Sequence, residues 1–323
     1  MRGRAGLGGD VSLAEQTASE RRRPWSHILV FLAPAALIYT VFSIYPLLDT
    51  IRYALYTQDE HGVAHFAGLA NFIDLFSLPV WADQFRNALL NNMIFFAIHV
   101  TVQNIIGIAL AAMLSLPNLF GRNIYRTLIF LPTMLSVVII GFVWQLILSP
   151  LWGVSEGFLR AIGLPQLFAP WLGQESTALV TISLISVWQF VGIPMMLIYA
   201  ALLNIPEDLV DAATVDGANH LHVFFYVKLP LILPTIGLVA ILTFVGNFNA
   251  FDLIYAVKGT LAGPNFASDI MGTFFYRTFF GYQLQLGNPT MGAAVATMMF
   301  LIILIGVMIY LFGVQRRMQR YAL

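Results

Sequence analysis

Thr243, Asn247 and Ala250 stand at i, i+4 and i+7, which places them on one face of a helix, and Phe244, Phe248 and Phe251 interleave with them. Amides and hydroxyls hydrogen-bond the hydroxyls of a saccharide, and aromatic rings pack against its C–H faces. Gly246 in the same stretch leaves room for close approach. Other polar side chains sit in apolar stretches: His99, Gln103 and Asn104; Gln145; Ser186 and Gln189; Asn249 and Asp252. Polar groups at membrane depth are costly and face a bundle interior or a watery cavity. Any one of them alone reads more simply as a hydrogen bond between helices. None is Lys or Arg, the partners a phosphate or carboxylate needs, so the set suits neutral polyols and saccharides.

Several other chemistries are excluded or weakly supported. There is no cysteine, hence no disulfide, thiolate or cysteine–metal site. Both lysines, Lys228 and Lys258, follow a valine, so no Gly-Lys-Ser/Thr phosphate loop exists. His99 has no acidic partner in its own apolar stretch, which favours a structural role over a proton relay. His220 and His222 lack the further ligands of a zinc site. The cluster Asp59, Glu60, His61 and His65 lies in a loop with no partner motif and is a poor candidate for an enzyme's acid pair. With zero formal net charge and no basic patch, there is no case for nucleic-acid binding.

The longest polar interruption in the apolar second half runs from Pro206 to Pro230. Pro206 suits a helix start, Glu207 and Asp208 complement its positive end, and Gly217 can stop it at positive φ. The reading is two short helices joined by a glycine, a small knob carrying Asp211, Ala212 and Ala213. Glu207, Asp208, Asp211 and Asp216 on such a helix are a docking surface more simply than catalytic carboxylates.

Asp211-Ala212-Ala213, three residues, Gly217, nine residues, then Val227-Lys-Leu-Pro230 resembles the cytoplasmic "EAA" loop of bacterial ABC importer permeases, with Asp for Glu and Val for Ile. The run from Ile205 to Leu231 is similar to carbohydrate-uptake permeases such as the larger membrane subunit of the maltose transporter. The resemblance implies an all-α type I importer permease in the bacterial inner membrane, without catalysis of its own. It implies a second, different permease, two ATPase subunits carrying ATP and magnesium, and a soluble sugar-binding protein. Glu207, Asp208, Asp211, Ala212, Ala213, Asp216, Gly217 and Pro230 would form the ATPase-coupling loop. The segment Asn247–Ile254 resembles the sugar-contacting helix of that relative. The resemblance carries a sugar-binding role onto Thr243 and Asn247, with Gly246 replacing a Phe and Ala250 an Asn. Alignment through Trp188 adds Ser186, Gln189, Phe190 and Ile193. The cargo it implies is a di- or oligosaccharide; an ion-coupled secondary transporter is the alternative.

The elements that must position these residues are membrane helices. Hydrophobic residues make up 59% of the 323 and charged residues 10%, against about 25% charged in soluble domains; the mean hydropathy is +0.80. Six apolar runs approach the ~20 residues a spanning helix needs: about 28–50, 89–116, 125–149, 178–203, 231–257 and 291–314. With the N terminus inside, Arg2, Arg4, Arg21, Arg22, Arg23, Arg122, Arg126, Lys228, Arg316, Arg317 and Arg320 are cytoplasmic, eleven of sixteen basic residues. That bias favours N-in and C-in. The expected organisation is a cytoplasmic tail over 1–27, a permease domain over 28–314 with its coupling loop at 204–230, and a tail over 315–323. The first run exceeds a signal-peptide core and reads as a retained helix.

Overall fold

The computed structural model describes residues 25–59, 62–117, 119–152, 154–282 and 285–316. The expected tails fall mostly outside them, as do Glu60 and His61. The chain divides into two compact units, residues 1–52 and 53–323. The first contains nearly all of α1, which starts at Trp25, carries a π-turn at Thr40–Ile44 and ends at Tyr53.

In the second unit a short hairpin, β1 (Tyr56–Gln58) with β2 (Ala64–Phe66), precedes α2 (Ala70–Ser77) and α3 (Pro79–Leu114). A bent pair follows, α4 (Arg122–Met134) and α5 (Val137–Ile147), then α6 (Val154–Ala161). A second bent pair is α7 (Glu175–Phe190) and α8 (Gly192–Leu203). Next come α9 (Glu207–Val215), α10 (His220–Phe248), α11 (Asp252–Lys258) and α12 (Met271–Phe280). A second hairpin, β3 (Gly281–Tyr282) with β4 (Gln285–Leu286), leads into α13 (Pro289–Gln315). Among the described residues four helices are long and apolar enough to span a membrane, or six if each bent pair is one span.

Four features differ from the sequence expectation. α3 begins ten residues before the apolar run at 89, because hydropathy marks membrane depth and its first turns are helical but polar. The 125–149 run bends by 96° between α4 and α5; Leu135 and Ser136 are extended there, just after Pro132. The pair α7–α8 bends by 43° where Pro194 removes one backbone donor from the first turn of α8.

The fourth difference shapes the site. The 231–257 run is not one helix: α10 begins earlier, at His220, and stops at Phe248; α11 starts afresh at Asp252. Backbone freed at membrane depth must find partners inside the protein. The fully buried Asn92 of α3 supplies two. Its Nδ2 donates to the Asn247 carbonyl at 3.1 Å, and its Oδ1 accepts from the Met271 N–H at the start of α12 at 3.2 Å. Gly272 lets α12 sit against the break: a Cβ there would lie 2.3 Å from the Ala250 carbonyl oxygen.

Among the described residues the core has three parts. One joins α2, the start of α3, α12 and α13 around Leu75, Phe85, Phe274 and Met291. A second joins α5, α7 and α11 around Ile140, Ile182 and Ile254. The third joins the end of α3 with α8 and α10 around Leu114, Ile198 and Ile232.

Gly272→Ala must push α12 off the break, and overpacking of this kind costs about 1–3 kcal/mol. Its apparent unfolding temperature in detergent is expected to fall by several degrees. Gly246→Ala, where a Cβ meets nothing within 4 Å, is expected to leave it unchanged. Equal behaviour of the two variants would contradict the close-approach argument.

Candidate functional site

Between the second and third core parts lies a cavity of about 350 Å³, bounded by α3, α7, α8, α10 and the break before α11. Ser186, Phe190, Ile193, Thr243, Gly246, Asn247 and Ala250 all line it. Ala250 reaches it as part of the break and not as a third helical position, since α10 has already ended. Gln189 does not line it: buried, it donates to the Leu135 carbonyl at 3.3 Å, toward the α4–α5 bend. Phe244 and Phe248 do not line it either. Phe244 packs on Phe96 and Phe248 and closes on Gly306 of α13, because the 100° helical step turns it away from Thr243 and Asn247. The cavity's rings are Phe95, Phe190 and Phe251.

The hydrogen-bond ledger shows what the lining offers. His99 Nδ1 lies 2.7 Å from the Phe95 carbonyl, which only accepts, so the proton of the neutral ring sits on Nδ1. Nε2 then accepts from the Ser186 hydroxyl at 2.9 Å. This is the structural role expected of His99, yet it also lines the cavity. Thr243 donates to the Val239 carbonyl at 2.8 Å, with Asn104 Oδ1 at 3.3 Å competing for the same proton. Ser186 and Thr243 therefore have acceptor capacity to spare but no free donor. Among the described residues, two buried side-chain atoms of the cavity lining have no hydrogen-bond partner: the donor Asn247 Nδ2 and the acceptor Gln103 Oε1. Leaving such a group unpaired costs about 1–3 kcal/mol. Gln103 ends a π-turn, His99–Gln103, a distortion frequent at functional sites. Asp252, exposed at the start of α11, adds a carboxylate to the lining.

The segment between α11 and α12 is clamped by a polar face of α3. Asn87 donates to the Phe266 carbonyl at 2.9 Å and Asn91 to that of Asp269 at 2.9 Å. Asp269 and Arg277 form a buried ion pair at 2.7 Å; Arg277 also donates to Gln84 and the Thr260 carbonyl. Burial pushes the Asp269 carboxyl up from its ordinary value, and Arg277 and the Thr273 hydroxyl pull it back. The sequence reading missed this clamp; its visible trace is Gln84, Asn87, Asn91 and Asn92 on adjoining faces of one helix.

At the other end of α8 and α10 stands the knob. α9 runs from Glu207 with Pro206 as its N-cap, one position earlier than a first helical residue. Gly217, at φ +86°, ends it. The Ala218 N–H bonds the Ala213 carbonyl and the Gly217 N–H that of Thr214, a Schellman closure. The expected second short helix is instead the start of α10, capped by Asn219, whose side chain accepts from the His222 N–H. A π-turn at Val223–Lys228 precedes Pro230, which lacks an N–H. Glu207, Asp208, Asp211, Ala212, Asp216 and Gly217 are exposed; Ala213 and Pro230 are partly buried. Val215 beside them is 87% exposed. His65 bonds Asp59 at 3.1 Å in the first loop, and no group of three metal-binding side chains occurs among the described residues.

A family model described as the binding-protein-dependent transport system inner membrane component matches residues 103–320. The chain is 32% identical over 278 residues to the probable ABC transporter permease protein YurN of Bacillus subtilis (strain 168), covering 85% of this chain and 91% of that one. It is 29% identical over 282 residues to the lactose transport system permease protein LacF of Rhizobium radiobacter, covering 87% and 91%. Its fold matches a chain of a solved bacterial ABC transporter involved in import of the acidic polysaccharide alginate, with a TM-score of 0.76, 22% identity, and coverage of 93% and 99%.

Removing one partner of a buried ion pair costs about 3–5 kcal/mol, more than replacing both by apolar groups. Asp269→Ala is therefore expected to unfold in detergent at lower temperature than the double variant Asp269→Leu/Arg277→Met. The reverse order would contradict a buried pair at this position.

Proposed function

The chain belongs to the family of binding-protein-dependent transport system inner membrane components, and from that membership we propose that it carries a di- or oligosaccharide across the bacterial inner membrane as one permease of an ATP-driven importer. The observation that carries the cargo class is the pair of unsatisfied groups at the cavity, Asn247 Nδ2 and Gln103 Oε1. A sugar hydroxyl both donates and accepts, and can satisfy either. Ser186 and Thr243 offer acceptors for further hydroxyls, and Phe95, Phe190 and Phe251 offer apolar faces. The lactose permease relative supports the same class. Family membership leaves the ion-coupled transporter without support.

The partners follow from the reading: a second, different permease completes the path, a soluble sugar-binding protein delivers the cargo outside, and two ATPase subunits bind ATP and magnesium inside. This chain's part is mechanical. With the N terminus cytoplasmic, α9 lies on the inner side, and its acidic residues with Ala212, Ala213 and Val215 seat in the ATPase. α9 connects directly to α8 and α10, whose other ends carry Ile193, Pro194, Thr243 and Asn247 of the cavity. Movement of the knob as the ATPases close is thus delivered to the site by two rigid helices, a rigid-body transition between inward- and outward-open states.

In proteoliposomes with the assembled importer, Asp211→Arg and Gly217→Pro are expected to abolish ATP-driven uptake while the complex remains inserted. Proline cannot adopt the φ of +86° found at Gly217. Normal uptake by both at normal expression would remove the coupling role. Asn247→Leu should weaken uptake about tenfold, the loss of one buried hydrogen bond of ~1.4 kcal/mol, while basal ATP hydrolysis persists. Unchanged uptake would remove Asn247 from the binding site.

A further inference from the structure

The external segment between α5 and α7 contains a helix for which the transport reading has no use. Along and beside α6, Val154, Phe158 and Ile162 follow at four-residue steps, preceded by Leu151 and Trp152, and all five are more than half exposed. Steps of four keep side chains on one helical face. Elsewhere on the helix Glu156 and Arg160 pair at 2.5 Å, so its two charges cancel. An apolar strip of this size is not left facing water, because covering it gains about 25 cal/mol per Å².

The position of α6 identifies the cover. Six residues separate it from α5, which with α4 forms an apolar pair long enough to enter a membrane, and the helix packs against α5. Val138, Ile139, Phe142 and Leu146 of α5 are exposed apolar side chains, as are those of the strip on α6, and the two helices are in contact. Tryptophan favours the membrane–water boundary. We propose that α6 lies in the outer leaflet at the boundary of headgroups and acyl chains, apolar strip inward, and that its partner is phospholipid. A neutral amphipathic helix needs no anionic lipid for this. Further along, the Leu172 carbonyl accepts from Lys258 at the end of α11, the helix whose other end places Asp252 at the cavity. Burial lowers the Lys258 ammonium from its ordinary value. The segment thus ties the outer rim of the site to a fixed depth in the bilayer.

The chain has no cysteine, so Phe158→Cys, Val154→Cys and Glu156→Cys each place a single nitroxide label. The labelled chain is assembled with partner subunits whose cysteines have been replaced, in phosphatidylcholine liposomes. Electron paramagnetic resonance then compares collision with oxygen, which concentrates in lipid, and with a water-soluble nickel chelate. Labels at 158 and 154 are expected to favour oxygen several-fold and the label at 156 the chelate, with no change when the sugar-binding protein is added. Equal chelate access at all three positions would overturn the proposal. So would labels at 158 and 154 that are closed to both reagents, which would mean a partner permease covers the strip, or that become closed when the binding protein is added. Two strip positions are used so that poor assembly of one variant leaves the other to decide.

Discussion

Asn92 makes the outer end of α10 possible. A helix that stops at membrane depth frees backbone groups that lipid cannot satisfy, and here one buried amide takes up the Asn247 carbonyl at the end of α10 and the Met271 N–H at the start of α12, two helices on. With the end of α10 tied to the start of α12, Asn249, Ala250 and Phe251 leave the helix and line the cavity. The same arrangement leaves Asn247 Nδ2 with no hydrogen-bond partner among the described residues while the Asn247 carbonyl is engaged. A site able to receive and release a hydroxylated solute needs this kind of rigid frame with polar groups still unspent.

The frame and the knob are parts of one mechanical object. α8 and α10 meet along Ile198, Leu202 and Ile232, with Ile205, Phe224 and Leu229 packed on that cluster at the inner end. Because α9 is inserted between them, it cannot be displaced far without moving one of the two. Gly217 and the Schellman closure hold α9 to a definite length, so its exposed acidic face keeps a fixed relation to both helices. Packed helices of this kind transmit displacement because close-packed cores deform little.

Much of this was legible in the residues. The knob could be read because glycine at positive φ, proline at a helix start and acids in a first turn are local rules, and Gly217, Pro206 and Glu207 obey them. Thr243 and Asn247 were legible as one face because both precede the break. Placing Ala250 on that face extends helical periodicity two residues too far; nothing local at Asn249 or Phe251 announces a stop, and the end of the helix is held by Asn92, 155 residues away from Asn247. The same distance problem hid the direction of Gln189: its bond to Leu135 exists only because the 125–149 run bends. Hydropathy counts residues that tolerate lipid and is blind to bends, so its six runs fall on four long apolar helices and two bent pairs, and it missed the angles that make the cavity.

The central claim is that a saccharide passes against Asn247, Gln103 and the break before α11. Photoaffinity labelling of the assembled importer during turnover, with a diazirine-bearing saccharide delivered by the binding protein, tests it most directly. Mass spectrometry of the labelled peptides is predicted to place label within 186–197 and 243–254 of this chain, with competition by unmodified saccharide. Competable label confined to the partner permease, with none in these two segments, would contradict the account.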